Sequence, residues 1–204
     1  MKNWSQLASD ESIQKTKTSL TVEGVEVFVV ENAEEARRKV LEILPKGAEV
    51  MTISSQTLEA AGITKEINKS GNYNSVKAKL MKMDRATQGV KMQKLGAAPD
   101  WTLGSVHAVS ADGHVFIASN TGSQLGVYAY ASPHVIWVVG SQKIVKNWDE
   151  GIRRVYEYSL PKESERQRGL GNAKGSNIGK LLIFNNEFRP GRITMIIVKE
   201  NLGF

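Results

Sequence analysis

The stretch Val135-Ile136-Trp137-Val138-Val139, which continues into Gly140-Ser141-Gln142-Lys143, decides the fold of this chain. Five consecutive apolar residues between Pro133 and Gly140 are typical of a short strand that is buried on both faces. Such strands occur in parallel sheets that carry helices on both sides. The stretch therefore predicts a central strand of an α/β fold.

Shorter segments of similar character lie on both sides of this strand. Strands are expected over residues 25–30, 49–53, 181–184 and 193–198. A helix is expected to begin after Asn32, which forms a capping box with Glu35, and to end at Pro45. A short helix is expected between Thr57 and Gly62, and further helices over residues 75–83, through 127–131 and over 149–159. Asp112-Gly113 favours a tight turn, so residues 106–109 and 115–118 predict a hairpin. The predicted fold class is α/β, with an open and largely parallel sheet flanked by helices and an added antiparallel hairpin.

The size and composition of the chain set the next limits. A chain of 204 residues, 41% hydrophobic and 24% charged, favours one domain. We expect a single α/β domain over residues 21–204, preceded by an N-terminal arm or helix over residues 1–20. The absence of cysteine excludes disulfides, thiolate-bound zinc, thiolate-bound iron–sulfur clusters and thiol nucleophiles. No apolar run approaches the roughly 20 residues of a membrane span and no signal-peptide core is visible, so we expect a cytoplasmic protein.

Positive charge is concentrated in one segment. Lysine and arginine number 27 against 21 acidic residues, and residues 65–94 hold eight basic and two acidic ones. This basic segment is either a solvated helix face or a surface that attracts phosphates, nucleic acid or an acidic partner. Nucleic-acid binding is not the favoured interpretation, because Tyr73 is the one aromatic residue within the segment.

Two loops combine small hydroxyl or amide side chains with a position between a strand and a helix. Ligands in open α/β sheets bind at such points, where backbone N–H groups are free. Ordinary helix capping would use the same residue types, so both interpretations remain open. If the two strands lie side by side, the loops share one crevice. The candidate ligand-binding residues in these loops are Ser54, Ser55, Thr57, Asn120, Thr121, Gly122, Ser123 and Gln124.

Five further side chains are candidates near the same edge of the sheet. Lys143 follows the central strand, and it is either a surface lysine or a cation for a carboxylate or phosphate. His107, on the expected hairpin, either borders the crevice or is a structural histidine. Glu187, on the last connection, is the carboxylate that transferase-like chemistry would use. Glu163 and Arg166 form either a helix-surface pair or part of the border.

Several familiar motifs are absent. Gly175 to Lys180 resembles a phosphate-binding loop, but Leu181 follows the lysine where the motif needs Ser or Thr, so a flexible loop is expected. The three histidines have no metal-binding spacing. No catalytic set can be assigned, and we expect no metal and no cofactor.

Five sequence motifs in the second half of the chain occur together. They are His107-Ala108-Val109-Ser110 with Asp112-Gly113, Thr121-Gly122-Ser123-Gln124, Ile136-Trp137-Val138-Val139-Gly140-Ser141-Gln142-Lys143-Ile144-Val145, Glu163-Ser164-Glu165-Arg166 and Leu202-Gly203-Phe204. With these motifs the chain resembles the lactate-utilisation (LUD) domain family over roughly residues 20–204. The resemblance implies the fold shared by ribose-5-phosphate isomerase, glucosamine-6-phosphate deaminase and coenzyme A transferases. It also implies an association with bacterial lactate oxidation, in which this cysteine-free chain is the cluster-free component beside iron–sulfur proteins.

Two functions of different class follow. The first is a binding or accessory subunit that holds a small anion in the crevice, with iron–sulfur proteins as partners and a homodimer as a plausible assembly. The second is an autonomous enzyme that acts on a phosphorylated or acyl-CoA substrate in the same crevice. Fold alone does not separate them.

Overall fold

The computed structural model describes residues 2–204, and its largest element is a six-stranded parallel sheet. The strand order is β1-β10-β7-β4-β2-β3, and all five neighbouring pairs run parallel. The strands are β1 (Glu26–Val30), β2 (Glu49–Thr52), β3 (Asn74–Ser75), β4 (Trp101–Gly104), β7 (His134–Gly140) and β10 (Ile193–Val198). The expected central strand is β7, which lies between β10 and β4. The predicted α/β class with a largely parallel sheet is confirmed.

A second, four-stranded sheet is mixed, with the order β8-β5-β6-β9. Its strands are β5 (Ala108–Ser110), β6 (Val115–Ser119), β8 (Ile144–Val145) and β9 (Lys180–Phe184). Strands β5 and β6 form the expected antiparallel hairpin, and Gly113 adopts a φ of +96° in its turn. The first hairpin strand begins at Ala108, two residues later than predicted, because residues 105–107 carry the chain from one sheet to the other.

Helices cover the outer faces of both sheets. They are α1 (Asp10–Val22), α2 (Ala33–Ile43), α3 (Gln56–Ala60), α4 (Ile63–Lys69), α5 (Val76–Leu80), α6 (Arg85–Ala97), α7 (Trp148–Arg154) and α8 (Leu160–Gly169), with π-helical turns at Val127–Ala131 and Val155–Ser159. The N-cap is confirmed, since Asn32 Oδ1 accepts from the Glu35 amide at 2.9 Å; the Glu35 carboxylate accepts from the amide of Glu31, one residue before the cap, at 3.0 Å rather than from Asn32. No helix within residues 2–204 combines the length and the apolar character needed to cross a bilayer.

The side chains of β7 alternate between two apolar layers. Val135, Trp137 and Val139 face the second sheet and join a cluster that includes Ile13 and Leu20 of α1. Ile136 and Val138 face the opposite layer, which contains side chains of α2, α3 and α4. A third cluster covers the outer face of the second sheet. Because β7 is buried on both sides, its carboxyl end lies deep in the molecule.

Six of these helices and strands were not predicted: β3, β4, β8, α4, α6 and α8. Strand β4 was not predicted, because it is four residues long and carries no apolar run. Helix α6 was not predicted either, since none of residues 85–97 is buried and no apolar stripe marks it. Helix α8 over residues 160–169 was not predicted because it carries no apolar stripe, and Ser164 is its buried residue.

Candidate functional site

A cavity of about 630 Å³ opens where β2, β4 and β7 end. These three strands are neighbours in the parallel sheet, so their carboxyl ends meet at one edge. The carboxyl end of β6, from the second sheet, closes the cavity on another side. Nine of the residues predicted to bind a ligand or to border the site line it: Ser54, Ser55, Thr57, His107, Asn120, Thr121, Ser123, Gln124 and Lys143.

The loop after β2 combines helix capping with cavity lining. Ser55 Oγ accepts from the Leu58 amide at 3.3 Å and caps α3. Thr57 is 1% exposed, and its hydroxyl donates to the Leu202 carbonyl at 3.0 Å. Ser54 Oγ accepts from Lys77 Nζ at 3.2 Å at the rim. The hydroxyls of this loop therefore cap or anchor the chain and also form part of the cavity wall, and ligand binding by them stays a prediction.

The loop after β6 is held by its own polar side chains. Ser119 Oγ accepts from the Gly122 amide at 2.8 Å and donates to Gln124 Oε1 at 2.9 Å. Gly122 itself is not among the lining residues; it has a φ of +88°, and a Cβ there would lie 2.6 Å from Cδ of Lys180. Gly122 thus shapes the turn, while its neighbours Thr121 and Ser123 face the cavity.

Lys143 lies buried at the end of β7, with a side chain that is 2% exposed in total. Its Nζ lies within hydrogen-bond distance of Thr57 Oγ1 at 2.9 Å, of Ser105 Oγ at 3.1 Å and of the Val106 carbonyl oxygen at 3.1 Å. None of these partners is a carboxylate, and no ion pair within residues 2–204 includes this lysine. Burial, and then the positive charge of Arg154, hold the pKa of Lys143 well below its usual value of 10.5. Lys143 is therefore not a surface lysine.

His107 faces the cavity with a defined tautomer. Its Nδ1 accepts from the Ala118 amide at 3.1 Å, which leaves Nε2 as the protonated nitrogen of the neutral ring. Removal from bulk solvent lowers the pKa of His107 to about 3, and the charges of Lys143 and Arg154 act in the same direction. The Arg154 guanidinium also donates to the His107 carbonyl. His107 is thus a neutral N–H donor in the cavity wall.

One cavity wall comes from α8 and carries a closed ion pair. Glu163 accepts from Arg166 at 2.8 and 2.7 Å and from Gln167 at 2.8 Å. Burial alone would raise the pKa of Glu163, but the hydrogen bonds from Arg166 and Gln167 lower it. Both residues of this pair line the cavity, so they border the site and also pair with each other.

Glu187 does not border this cavity. It lies in the connection that leads to the amino end of β10, the opposite edge of the sheet from the cavity. Its carboxylate binds Arg192 at 2.7 Å, with side chains that are 8% and 3% exposed. Arg192 also donates to the carbonyls of Tyr128 and Ser132. Because β9 runs antiparallel to its neighbour, the chain enters β10 from the far side, and Glu187 is a structural partner of that turn.

Ser105 and Tyr128 are among the cavity residues that were missed at the level of sequence. Ser105 follows β4 directly, and the unpredicted strand concealed its position at a third strand end. Tyr128 is fully buried on the π-helical turn, and the proton of its hydroxyl has no acceptor within residues 2–204. Recognition of Trp101–Gly104 as a strand would have identified Ser105.

The model of the LUD domain family matches residues 13–202. The chain belongs to the LUD domain family. Membership of this family associates it with lactate utilisation. No curated protein shows significant similarity to the chain. Within residues 2–204, no group of three or more His, Asp and Glu side chains is placed to hold a metal ion.

The fold is also similar to that of a solved protein of the DUF162 family from Deinococcus radiodurans. The two structures align with a TM-score of 0.58 at 14% sequence identity, over 95% of this chain and 99% of the other. At this level of identity the likeness concerns the fold, and the function has to be argued from the cavity.

Proposed function

We propose that this LUD-domain protein binds a small carboxylate in the cavity and acts as the cluster-free component of a lactate-oxidising system. The observation that carries the proposal is the buried side chain of Lys143, which has no carboxylate partner within residues 2–204. A buried ammonium is costly unless an opposite charge pairs with it. A bound carboxylate would supply that charge.

The free and bound states then differ by one proton. In the free protein, burial favours the neutral amine of Lys143. An anion in the cavity favours the ammonium form, so binding draws a proton from solution. Thr121, Ser123 and the Nε2–H of His107 add donors along the cavity wall that suit carboxylate oxygens.

The size of the cavity favours a second candidate function for the same site. A volume of about 630 Å³ lies within the range of about 300–1,000 Å³ typical of ligand pockets and exceeds what a three-carbon acid needs. An enzyme that acts on a phosphorylated or acyl-CoA substrate would use this additional space. The contact of Lys77 with Ser54 places a further cation at the rim, where a phosphate group would lie.

The proposed protein partners are iron–sulfur proteins. The chain contains no cysteine, so a thiolate-bound cluster for lactate oxidation has to be held by another subunit. The association of the family with lactate utilisation supports this division of labour. Co-purification of a cluster-bearing protein with this chain from lactate-grown cells is the expected result; recovery of the chain without one would contradict the proposal.

Calorimetry tests the binding proposal directly. Lactate, pyruvate and longer 2-hydroxy acids are titrated into the protein in two buffers of different ionisation enthalpy. Uptake of about one proton per ligand is expected. Lys143→Met should weaken binding about 30-fold or more, since loss of one partner of a buried charge pair costs at least about 2 kcal/mol. Lys91→Met, on exposed α6, is the matched control. Equal affinity for wild type and Lys143→Met, or no binding of any acid, would contradict the proposal.

A further inference from the structure

We propose that Ser105 and Lys143 form a nucleophile–base pair that transfers an acyl group from an ester or thioester through Ser105. This inference goes beyond ligand binding, although it uses the same cavity. It names an activity, acyl transfer, and a substrate class, an activated carboxylic acid derivative.

The geometry around Lys143 fixes the direction of proton transfer. The Thr57 hydroxyl donates to the Leu202 carbonyl, so its oxygen presents a lone pair to Lys143 Nζ. The Val106 carbonyl is a second acceptor at 3.1 Å. A neutral amine that donates its two hydrogens to these acceptors directs its lone pair at the remaining partner, Ser105 Oγ, at 3.1 Å.

Ser105 is placed as a nucleophile. Lys143 Nζ is its one side-chain hydrogen-bond partner within residues 2–204. The residue is partly exposed and lines the cavity directly after β4, whereas Lys143 behind it is buried. A nucleophile in contact with a base, which is oriented in turn by a third group, is the arrangement that covalent catalysis requires. Here the third group is the hydroxyl of Thr57.

A donor for the developing oxyanion lies beside the nucleophile. The hydroxyl of Tyr128 is buried at the cavity wall close to the backbone amide of Ser105, and its proton has no acceptor within residues 2–204. Burial raises the pKa of Tyr128, so the hydroxyl keeps its proton. It lies against Gly104, the residue before Ser105, so closely that a Cβ at Gly104 would overlap its oxygen. An unpaired donor at this place suits a carbonyl oxygen that gains negative charge.

The reaction balances without a redox partner. Ser105 Oγ attacks the carbonyl carbon, and its proton moves to Lys143 Nζ. The bond from the carbonyl carbon to the leaving oxygen or sulfur breaks, and the Lys143 ammonium protonates the leaving group, which gives an alcohol or a thiol. Lys143 then removes a proton from water, which attacks the carbonyl carbon of the acyl–Ser105 ester. The bond from that carbon to Ser105 Oγ breaks, the Lys143 ammonium returns its proton to Oγ, and the products are a carboxylic acid and free Ser105.

Covalent trapping tests this inference. The protein is treated with p-nitrophenyl acetate and with phenylmethanesulfonyl fluoride, and the adducts are located by mass spectrometry of peptides. We expect modification of Ser105. The rate should fall about 100-fold in Lys143→Met, the contribution of a general base, and the adduct should disappear in Ser105→Ala. Ser70→Ala, in an exposed turn, is the matched control. Absence of an adduct on Ser105, or an unchanged rate in Lys143→Met, would overturn the inference.

A second variant keeps the test decisive if Ser105→Ala does not fold. The chain has no cysteine, so Ser105→Cys introduces a single thiol whose alkylation is simple to follow. Near neutral pH, the thiol of Ser105→Cys should be alkylated faster than that of Ser70→Cys. This difference should disappear when Lys143→Met is combined with Ser105→Cys. Calorimetry with carboxylates separates the two proposals. If carboxylates bind and Ser105 is not acylated, the proposed function is supported and the acyl-transfer inference is overturned. If Ser105 is acylated and no carboxylate binds, the acyl-transfer inference is supported and the proposed function is overturned.

Discussion

The side-chain nitrogen of Lys143 lies 2.9 Å from Oγ1 of Thr57, although 86 positions separate the two residues in sequence. The contact joins the carboxyl end of β7 to the segment after β2. Strand β4 lies between those two strands and supplies Ser105, the other hydroxyl that Lys143 contacts. The crossover connections of the parallel sheet therefore create the cavity floor, and three strand ends determine its chemistry.

The first prediction concerns the pH dependence of stability at Lys143. Its pKa is lowered in the folded protein, so between that pKa and 10.5 the unfolded chain binds a proton that the folded chain does not. Stability from this group therefore rises with pH, by about 1.4 kcal/mol per pH unit. Urea unfolding between pH 7.5 and about 9.5 should show a shallower rise for Lys143→Met than for wild type. Lys91→Met should follow the wild-type curve; parallel curves for all three proteins would contradict the prediction.

Lys143 illustrates which features of the site could be predicted from the sequence and which could not. The buried strand β7 and the hydroxyl-rich loops after β2 and β6 could be predicted, because buried strands and small polar turns have strong local sequence patterns. The sequence did not show that Lys143 is buried without a carboxylate, because that depends on which strand ends meet. Ser105 was missed with β4, whose four residues carry no periodic signal. Glu187 was placed at the wrong edge, since the direction of β9 is not a local property.

The second prediction concerns the contact between Gly104 and Tyr128. A Cβ at position 104 would overlap the Tyr128 hydroxyl and lie 2.8 Å from Cζ of the same ring. Gly104→Ala should therefore lower the free energy of unfolding by about 1–3 kcal/mol, the usual cost of overpacking. Gly126→Ala, where nothing lies within 4 Å, is the control and should be nearly neutral. In the double variant with Tyr128→Phe, part of the lost free energy of unfolding should be recovered, because the hydroxyl that the new Cβ overlaps is gone. If the effects of the two changes on the free energy of unfolding were additive, the contact would be contradicted.

The third prediction concerns His107 at acid pH. Its pKa falls to about 3 in the folded protein, against 6.5 for the free side chain. As the pH falls through 6.5, the unfolded chain takes up a proton that the folded chain refuses until about pH 3. Stability is thus lost over this window at about 1.4 kcal/mol per pH unit. His107→Asn keeps an acceptor for the Ala118 amide and should remove this slope in urea unfolding. An NMR titration in which the His107 ring protonates near pH 6.5 would contradict it.

The fourth prediction separates Glu187 from the chemistry of the cavity. Its ion pair with Arg192 is buried, with side chains that are 8% and 3% exposed. Glu187→Gln leaves the guanidinium without its charged partner, which costs about 3–5 kcal/mol when a buried pair is broken. The exposed pair of Arg153 and Glu157 is the comparison, and Glu157→Gln should lower the free energy of unfolding far less, because solvent screens an exposed ion pair. Urea unfolding measures both. Because Glu187 lies at the opposite sheet edge from Lys143, folded Glu187→Gln should bind carboxylates and acylate Ser105 at the wild-type level. If folded Glu187→Gln lost carboxylate binding or acylation of Ser105, Glu187 would have a role in the site and the prediction would be contradicted.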